Sequence, residues 1–156
     1  MLLNELFEQF IRERTYLDNV TPRTIRFFRQ SWSAFQRTLP DVIEPEGITA
    51  DTGLRFITGL RESGTVGTVT TNTYIRGVNV FLSWLHRKGA LSTRIAIKQL
   101  RVARVIPPVL DDKAVARLIG YKPKCLSQRR VHAIVMTIID AGFRVNEVNH
   151  AAARLC

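Results

Sequence analysis

The residues best suited to chemistry lie near the C-terminal end of the sequence, where an apolar stretch ends at Gly142. Arg144 follows this glycine by two residues, and Glu147 lies three residues further on. A guanidinium presents a rigid fork of donors that matches two phosphate oxygens, and it stays charged at any physiological pH. An arginine held beside a tight glycine turn therefore suits the stabilisation of negative charge on a phosphate. Taken alone, however, the pattern favours a surface arginine after a helix end, paired with Glu147 at i, i+3 spacing.

Positive charge is the second functional feature of the chain. Its 156 residues include 23 Lys and Arg against 13 Asp and Glu, for a net charge of +10. Residues 1–50 carry six basic and seven acidic side chains, residues 51–100 carry seven and two, and residues 101–156 carry ten and four. No acidic residue lies between Glu62 and Asp111. Such a surface attracts polyanions, so we expect a nucleic acid partner rather than an ordinary solvated surface or an anionic membrane.

Other classes of site find little support in the sequence. The two cysteines, Cys125 and Cys156, show no CxxC or Cys/His ligand spacing. This argues against a disulfide framework and a zinc site, and we expect no metal and no cofactor. No apolar run approaches the roughly 20 residues of a membrane-spanning helix. Because Glu5 interrupts what would be the apolar region of a secretion signal, we expect a cytoplasmic protein without a membrane partner.

The spacing of apolar residues predicts an all-α protein that begins with a bundle of four amphipathic helices over residues 1–89. The first helix carries an apolar stripe between Leu3 and Leu17. Thr21 is expected to cap the second helix, with a proline in the first helical position, and this helix is expected to end near Pro40.

The third and fourth helices are predicted from their caps and glycines. Thr49 is expected to cap the third helix, and Gly64 to end it. A turn over residues 64–71 leads to the fourth helix, which Gly89 closes. The residues expected to face inward are Leu54, Ile57 and Leu60 in the third helix, and Tyr74, Val78, Phe81, Leu82 and Leu85 in the fourth.

The remainder of the sequence reads as a basic linker followed by the beginning of a second domain. Residues 90–110 are basic, with scattered apolar residues and a Pro-Pro pair that disfavours helix. In residues 111–156, Asp111 or Asp112 is expected to cap a short helix. Ser127 is expected to cap a further helix that is apolar over most of its circumference. Such a helix belongs inside a larger body, and about 50 residues are too few to enclose it, so this domain looks unfinished.

The segment from Ile139 to Val148 resembles the signature around the first catalytic arginine of tyrosine recombinases, the phage-integrase family. That signature is an apolar helix followed by T-G-x-R-x-x-E and an apolar residue. The matching residues are Gly142, Arg144, Glu147 and Val148, whereas Ala141 replaces the usual threonine.

Residues 1–89 resemble the core-binding, SAM-like domain of the same family. The residues similar to its fourth helix are Thr70, Tyr74, Val78, Phe81, Leu82, Trp84 and Leu85. The run from Arg104 to Asp112 is similar to the junction between the linker and the catalytic domain.

This resemblance implies a DNA-binding fragment of a site-specific recombinase, with double-stranded DNA as the partner of the four-helix domain and the basic linker. Arg144 would be the first catalytic arginine, and Glu147 would support it structurally. The candidate phosphate contacts follow from charge and resemblance together: Arg23, Arg26, Thr71, Asn72, Arg76, Arg87, Lys88, Lys98, Arg101 and Arg104. Most contacts of this kind position a protein on DNA without specifying the sequence.

The sequence also departs from the family pattern. The sheet lysine, the His-x-x-Arg pair, the further His or Trp and the tyrosine nucleophile have no counterparts after Val148, and Tyr16, Tyr74 and Tyr121 all precede Arg144. We therefore expect a truncated start of the catalytic domain and a chain that cannot cleave DNA by itself.

Two alternatives to plain DNA binding stay open. One is a short product that pairs with full-length recombinase or with itself and interferes with assembly. The other is a decayed, frameshifted fragment with no selected role.

Overall fold

A computed structural model describes residues 2–62, 64–103, 108–145 and 147–148 of the chain. These residues form six α-helices and one short 3-10 helix, and none of them lies in a β-strand. The predicted all-α class is therefore confirmed at this level. Contacts divide the chain into two units, residues 1–104 and residues 105–156. None of the helices in the described ranges is long and apolar enough to cross a bilayer.

The first unit is a bundle of four α-helices, and its central helix is the fourth. The helices are α1 (Leu3–Tyr16), α2 (Pro22–Thr38), α3 (Thr52–Glu62) and α4 (Thr68–Arg87), with the 3-10 helix Pro45–Gly47 between α2 and α3. The fourth helix packs against the other three, most extensively against α2. The core between them is largely aromatic, with fully buried rings of Phe10, Phe35, Phe56 and Phe81.

Two buried tryptophans complete this core, and each finds a partner for its indole N–H. Trp32 Nε1 donates to Asn4 Oδ1 at 3.0 Å. Trp84 Nε1 donates to Glu13 Oε2 at 2.8 Å. A buried indole N–H without a partner would cost free energy, so these two bonds also fix how α1 packs on α2 and α4.

Local signals place most helix ends of the bundle correctly. The Thr21 hydroxyl accepts the Thr24 N–H at 3.3 Å, and Pro22 occupies the first turn of α2, as predicted. Gly64 and Gly89 adopt left-handed backbone conformations with φ of +67° and +75°. Residues other than glycine rarely adopt this conformation, which explains why α3 and α4 end where the sequence predicted.

The start of α3 and its inward face differ from the prediction. The helix begins at Thr52, three residues after the predicted cap Thr49, and the Thr52 hydroxyl accepts the Thr49 N–H at 2.8 Å. Leu54 is 66% exposed, whereas Phe56 is fully buried. The buried stripe follows i, i+4 spacing through Phe56, the bulkiest apolar residue of the helix, and this turns Leu54 to the surface. The fourth helix begins at Thr68, inside the segment predicted to be a turn.

Residues 90–103, which we call the strap, run back along α4 as part of the first unit. Leu91 and Ile97 are only 6% and 4% exposed and belong to the bundle core. The main chain of the strap is hydrogen-bonded by side chains of Asn72 and Asn79 on α4. The sequence predicted a linker over residues 90–110. Through residue 103 that segment is instead packed on the bundle.

The second unit contains two helices, α5 (Asp112–Ile119) and α6 (Leu126–Ala141), which pack against each other. Asp111 caps α5 as predicted, since its Oδ1 accepts the Ala114 N–H at 2.6 Å. The sixth helix begins directly after Cys125, so the predicted cap at Ser127 is wrong by two residues. Gly142 ends this helix in a left-handed conformation, as predicted. Neither helix has a buried residue, so apolar side chains such as Val131 remain exposed.

Candidate nucleic-acid interface

The candidate interface is built on the close contact between α2 and α4. A Cβ atom added to Gly77 of α4 would clash with Ser31 Oγ and lie 2.5 Å from Ser31 Cβ. Ser31 is buried, and its hydroxyl donates to the Phe27 carbonyl oxygen at 2.9 Å, which holds it against the α2 backbone. The two helices therefore approach as closely as a glycine allows, and their exposed faces lie side by side.

The exposed face of α2 forms one wall of an open groove. Its polar residues recur at helical spacing and form one stripe along the helix: Arg23, Arg26, Gln30, Ser33 and Arg37. Four of them, Arg26, Gln30, Ser33 and Arg37, line a groove of about 610 Å³ together with Tyr74 of α4. The groove thus places guanidinium groups beside an aromatic ring, a combination suited to phosphate and nucleobase contacts.

A second exposed stripe lies on α4, and its neighbours define its place. The stripe contains the exposed Arg76 and Arg87 and the half-buried Thr73 and Ser83. On one side of it the helix presents Asn72, Asn79 and His86, whose side chains contact the strap. On the other side it presents Gly77 and Tyr74, which face α2. Arg76 therefore lies on the surface between α2 and the strap, whereas Arg87, at the end of α4, lines a pocket together with Glu13 and Asp18.

The strap extends this surface. Its apolar residues Leu91 and Ile97 are buried, whereas Arg94, Lys98 and Arg101 are exposed. The structure thus holds these three basic side chains of the predicted linker on the outside of the folded unit. We call the combined surface the basic face, defined by Arg23, Arg26, Arg37, Arg76, Arg87, Arg94, Lys98 and Arg101.

Ion pairs distinguish the basic face from several cations elsewhere in the bundle. Four cations outside it pair with carboxylates: Arg14 with Asp18, Arg29 with Glu8, Arg55 with Asp41 and Lys88 with Glu13, at 2.6–2.7 Å. Within the described ranges, no cation of the basic face has a carboxylate partner within 4.0 Å. In the described part of the first unit, eight of the ten cations without a carboxylate partner belong to the basic face, and the other two are Arg12 and Arg61.

Three carboxylates of these pairs, Glu8, Asp41 and Glu13, have pKa values lowered by their partners. Hydrogen bonding to Arg29 lowers the pKa of Glu8, and hydrogen bonding to Arg55 lowers the pKa of Asp41. Hydrogen bonds from Lys88 and then Trp84 lower the pKa of Glu13. Since all of these changes favour the ionised carboxylate, the pairs stay formed at neutral pH.

Six of the predicted DNA contacts lie on the basic face, namely Arg23, Arg26, Arg76, Arg87, Lys98 and Arg101. Two others are buried instead. Thr71 is fully buried, and its hydroxyl donates to the Gly67 carbonyl oxygen at 3.1 Å. Asn72 is 8% exposed, and its amide is bonded on both sides to the main chain of Leu100. Their polar groups are already satisfied inside the protein, so neither is available to a phosphate.

The last two predicted contacts are Lys88 and Arg104. Lys88 pairs with Glu13 and lies 5.5 Å from the centre of the Trp84 ring, so its charge is already compensated. Arg104 lies outside the described residues. Conversely, sequence reasoning did not list Arg37, Arg94 or Tyr74 as contacts. The regular continuation of the α2 polar stripe was a signal that could have revealed Arg37.

Arg144 lies in the second unit at the start of a short helical turn. Its side chain is 87% exposed, and one guanidinium nitrogen lies 3.3 Å from Glu147 Oε1. Its backbone N–H donates to Glu147 Oε2 at 2.8 Å, and the Glu147 N–H returns a bond to the Arg144 carbonyl oxygen at 2.9 Å. Glu147 therefore contacts both the backbone and the side chain of Arg144, a pairing that a surface arginine after a helix end would also make, and the catalytic origin of Arg144 and the supporting role of Glu147 stay predictions. The described residues contain no cluster of His, Cys, Asp and Glu that could hold a metal ion.

Comparison with known proteins finds no family model, no curated protein and no solved structure that matches the chain. The relation to tyrosine recombinases therefore depends on the motifs in the sequence, and the functional argument depends on the geometry of the basic face.

Proposed function

We propose that the chain binds duplex DNA through the basic face, as the SAM-like core-binding part of a tyrosine site-specific recombinase followed by the first helices of its catalytic domain. The observation that carries this proposal is the segregation of charge in the first unit. The eight cations of the basic face lack carboxylate partners within the described residues, whereas Arg14, Arg29, Arg55 and Lys88 are paired. An unpaired cation can replace a counterion on DNA, which is the main source of sequence-independent affinity.

The dimensions of the basic face suit a duplex. The α2 stripe runs from Arg23 to Arg37, a rise of fourteen helical steps, which corresponds to about 21 Å at 1.5 Å per residue. At about 3.4 Å of axial rise per base pair, this length corresponds to roughly six base pairs of duplex. The adjoining cations of α4 and the strap widen the surface across the backbone of the duplex.

The second unit supports the recombinase part of the proposal through its motif. By resemblance, Arg144 would stabilise the negative charge that develops on the phosphate being cleaved. Its guanidinium is exposed and therefore accessible to a phosphate. Cleavage also requires a nucleophile and an acid for the leaving group. The described residues bring neither beside Arg144, so the proposed activity of the chain is binding.

One observation favours interference with a recombinase as a second candidate function. Apolar side chains of the second unit are exposed, including Leu126 at 76% and Val131 at 58%. Surfaces of this kind are typical of contacts between protein chains. Mixing the chain with an active recombinase tests this candidate, since inhibition that survives an excess of competing DNA requires a protein contact.

The test of DNA binding compares two substitutions that remove the same charge. Arg26→Gln removes an unpaired cation of the basic face, and Arg55→Gln removes a cation that is paired with Asp41. Fluorescence anisotropy with a labelled duplex at low salt gives the Kd of each variant. We expect Arg26→Gln to weaken binding by roughly five- to tenfold, about 1 kcal/mol, in keeping with one lost phosphate contact.

The Arg55→Gln variant is the control for net charge, and we expect it to stay within about twofold of the unmodified chain because the charge of Arg55 is already paired with Asp41. Equal losses in the two variants would mean that overall charge, and not the basic face, determines binding. That result would overturn the proposal.

A further inference from the structure

The strap is held on α4 by two asparagine side chains, each of which bonds both main-chain groups of one strap residue. Asn79 Oδ1 accepts the Ile97 N–H, and Asn79 Nδ2 donates to the Ile97 carbonyl oxygen, both at 2.8 Å. Asn72 makes the same pair of bonds with Leu100, again at 2.8 Å. A side-chain amide thus supplies to the extended strap the donor and acceptor that a neighbouring β-strand would supply.

The distance between the two asparagines along α4 is close to the distance between the two strap residues that they bond. Asn72 and Asn79 are seven residues apart, which is about two helical turns and a rise of roughly 10.5 Å on one face of α4. Ile97 and Leu100 are three residues apart, and three residues of extended chain span about 10 Å. The strap runs antiparallel to the helix, so each amide meets its own strap residue. Every strap residue carries the same main-chain groups, so the register is selected by Ile97, which is 4% exposed in the core, and the asparagine bonds then hold the strap in that register.

The two asparagines lie beside the basic residues that the strap exposes. Lys98 lies between the two bonded residues, and Arg101 follows Leu100 directly. A segment that is already ordered before a ligand arrives costs less binding free energy to immobilise than a free linker does. The bonds therefore act on binding by fixing where these two cations lie.

We propose that Asn72 and Asn79 are positioning residues that hold the strap in register on α4, so that Lys98 and Arg101 are preorganised to contact consecutive DNA phosphates. The role in DNA binding rests on the proposed function, whereas the clamping of the strap does not. The two asparagines act through the strap and make no contact with DNA themselves.

The test uses Asn79→Leu in the full chain, which keeps the approximate size of the side chain and removes both hydrogen bonds. Gln99→Leu is the matched control, since it also removes an amide, from an exposed strap position without a hydrogen bond. Hydrogen exchange of the Ile97 and Leu100 amides is measured first, with urea unfolding to establish that both variants are folded. We expect exchange to rise at least about tenfold in Asn79→Leu and to stay unchanged in the control. Unchanged exchange in Asn79→Leu would overturn the clamping.

Binding of a labelled duplex is then measured against salt concentration. We expect the slope of log affinity against log salt to become shallower by about one to two units in Asn79→Leu, because one or two phosphate contacts lose their fixed position. Faster exchange with an unchanged slope would overturn the link between the strap and DNA. If the unmodified chain does not bind DNA, the proposed function is overturned. The hydrogen exchange data alone then decide whether the asparagines hold the strap on α4.

A second variant keeps the proposal testable if Asn79→Leu does not fold. Lys98→Gln combined with Arg101→Gln leaves the asparagine bonds in place and removes both strap cations. This double variant must show slow amide exchange together with the shallower salt slope. A slope equal to that of the unmodified chain would contradict the proposed contacts.

Discussion

Replacing Gly77 with alanine tests the contact on which the basic face is built. In an ordinary helix interior, Gly→Ala stabilises the folded state by about 0.5–1 kcal/mol, because glycine loses more backbone entropy on folding. At Gly77 the added methyl group would clash with Ser31 Oγ and lie 2.5 Å from Ser31 Cβ. Carbon atoms in favourable contact are about 3.5–4.0 Å apart, so α2 and α4 would have to separate by roughly 1 Å.

Overpacking of this kind costs about 1–3 kcal/mol, which outweighs the gain in helix propensity. Relief by side-chain rotation is limited, since the Ser31 Cβ moves only with the α2 backbone. We expect Gly77→Ala to lower the free energy of unfolding by about 1–2 kcal/mol, measured by urea denaturation. For a unit of this size such a loss lowers Tm by roughly 4–8 °C for each kcal/mol.

The combined variant Gly77→Ala with Ser31→Gly is the matched control, because it removes the group that the new methyl meets. We expect a coupling free energy of about 1–2 kcal/mol in the double-mutant cycle, with the combined variant more stable than additivity implies. If Gly77→Ala alone were as stable as the unmodified chain or more stable, the close approach of α2 and α4 would be refuted.

Three further outcomes are expected from other parts of the structure. Stability at low pH should depend on Glu13, whose pKa is lowered by hydrogen bonds from Lys88 and Trp84. A carboxylate with a lowered pKa in the folded state contributes stability above its ordinary pKa of about 4.3, and this is lost as the pH falls through the lowered value. Glu13→Gln should therefore flatten the dependence of the urea midpoint on pH below about 4.5. Ile97→Ala should cost about 2–4 kcal/mol in urea unfolding, because Ile97 is 4% exposed in the core. Arg144→Ala should leave the urea midpoint unchanged and weaken duplex binding, measured by anisotropy, by no more than about threefold, because the side chain is 87% exposed.

Each of these outcomes has a clear contrary result. An unchanged pH profile in Glu13→Gln would show that this carboxylate is not a source of acid sensitivity. A loss below about 0.5 kcal/mol for Ile97→Ala would mean that the strap is a free linker, as the sequence suggested. A large stability loss for Arg144→Ala would indicate contacts of its side chain beyond Glu147.

The elements that sequence reasoning located correctly are those set by local chemistry. A threonine followed by proline at the start of α2, an aspartate before α5 and a glycine after α6 each act within one helical turn. The helix periodicity likewise identified Phe81 and Leu85 as core residues. Such features depend on neighbouring residues in the sequence, and the sequence displays them directly.

The features that were missed depend on partners distant in the sequence. Asn72 looked like a phosphate contact because it is polar and early in a helix, but its amide bonds a main chain 28 residues away. Because of the bonds from Asn72 and Asn79, residues 90–103 pack on α4 as the strap, where the sequence predicted a linker. Leu54 was expected to face inward but is exposed, and the buried Phe56 was not identified, because the face that α3 buries depends on how the helix packs, which its own sequence does not specify. The resemblance to recombinases contributed the candidate roles of Arg144 and Glu147, and these stay proposals.

The salt dependence of duplex binding tests the central claim most directly. A labelled duplex is titrated with the chain at several salt concentrations, and log affinity is plotted against log salt. If about five cations of the basic face each neutralise one phosphate, the slope is about −0.9 for each contact, or roughly −4 to −5 in total. The account predicts this steep slope, reduced by about one unit in Arg26→Gln and unchanged in Arg55→Gln. A flat dependence on salt, or no binding at low salt, would contradict it.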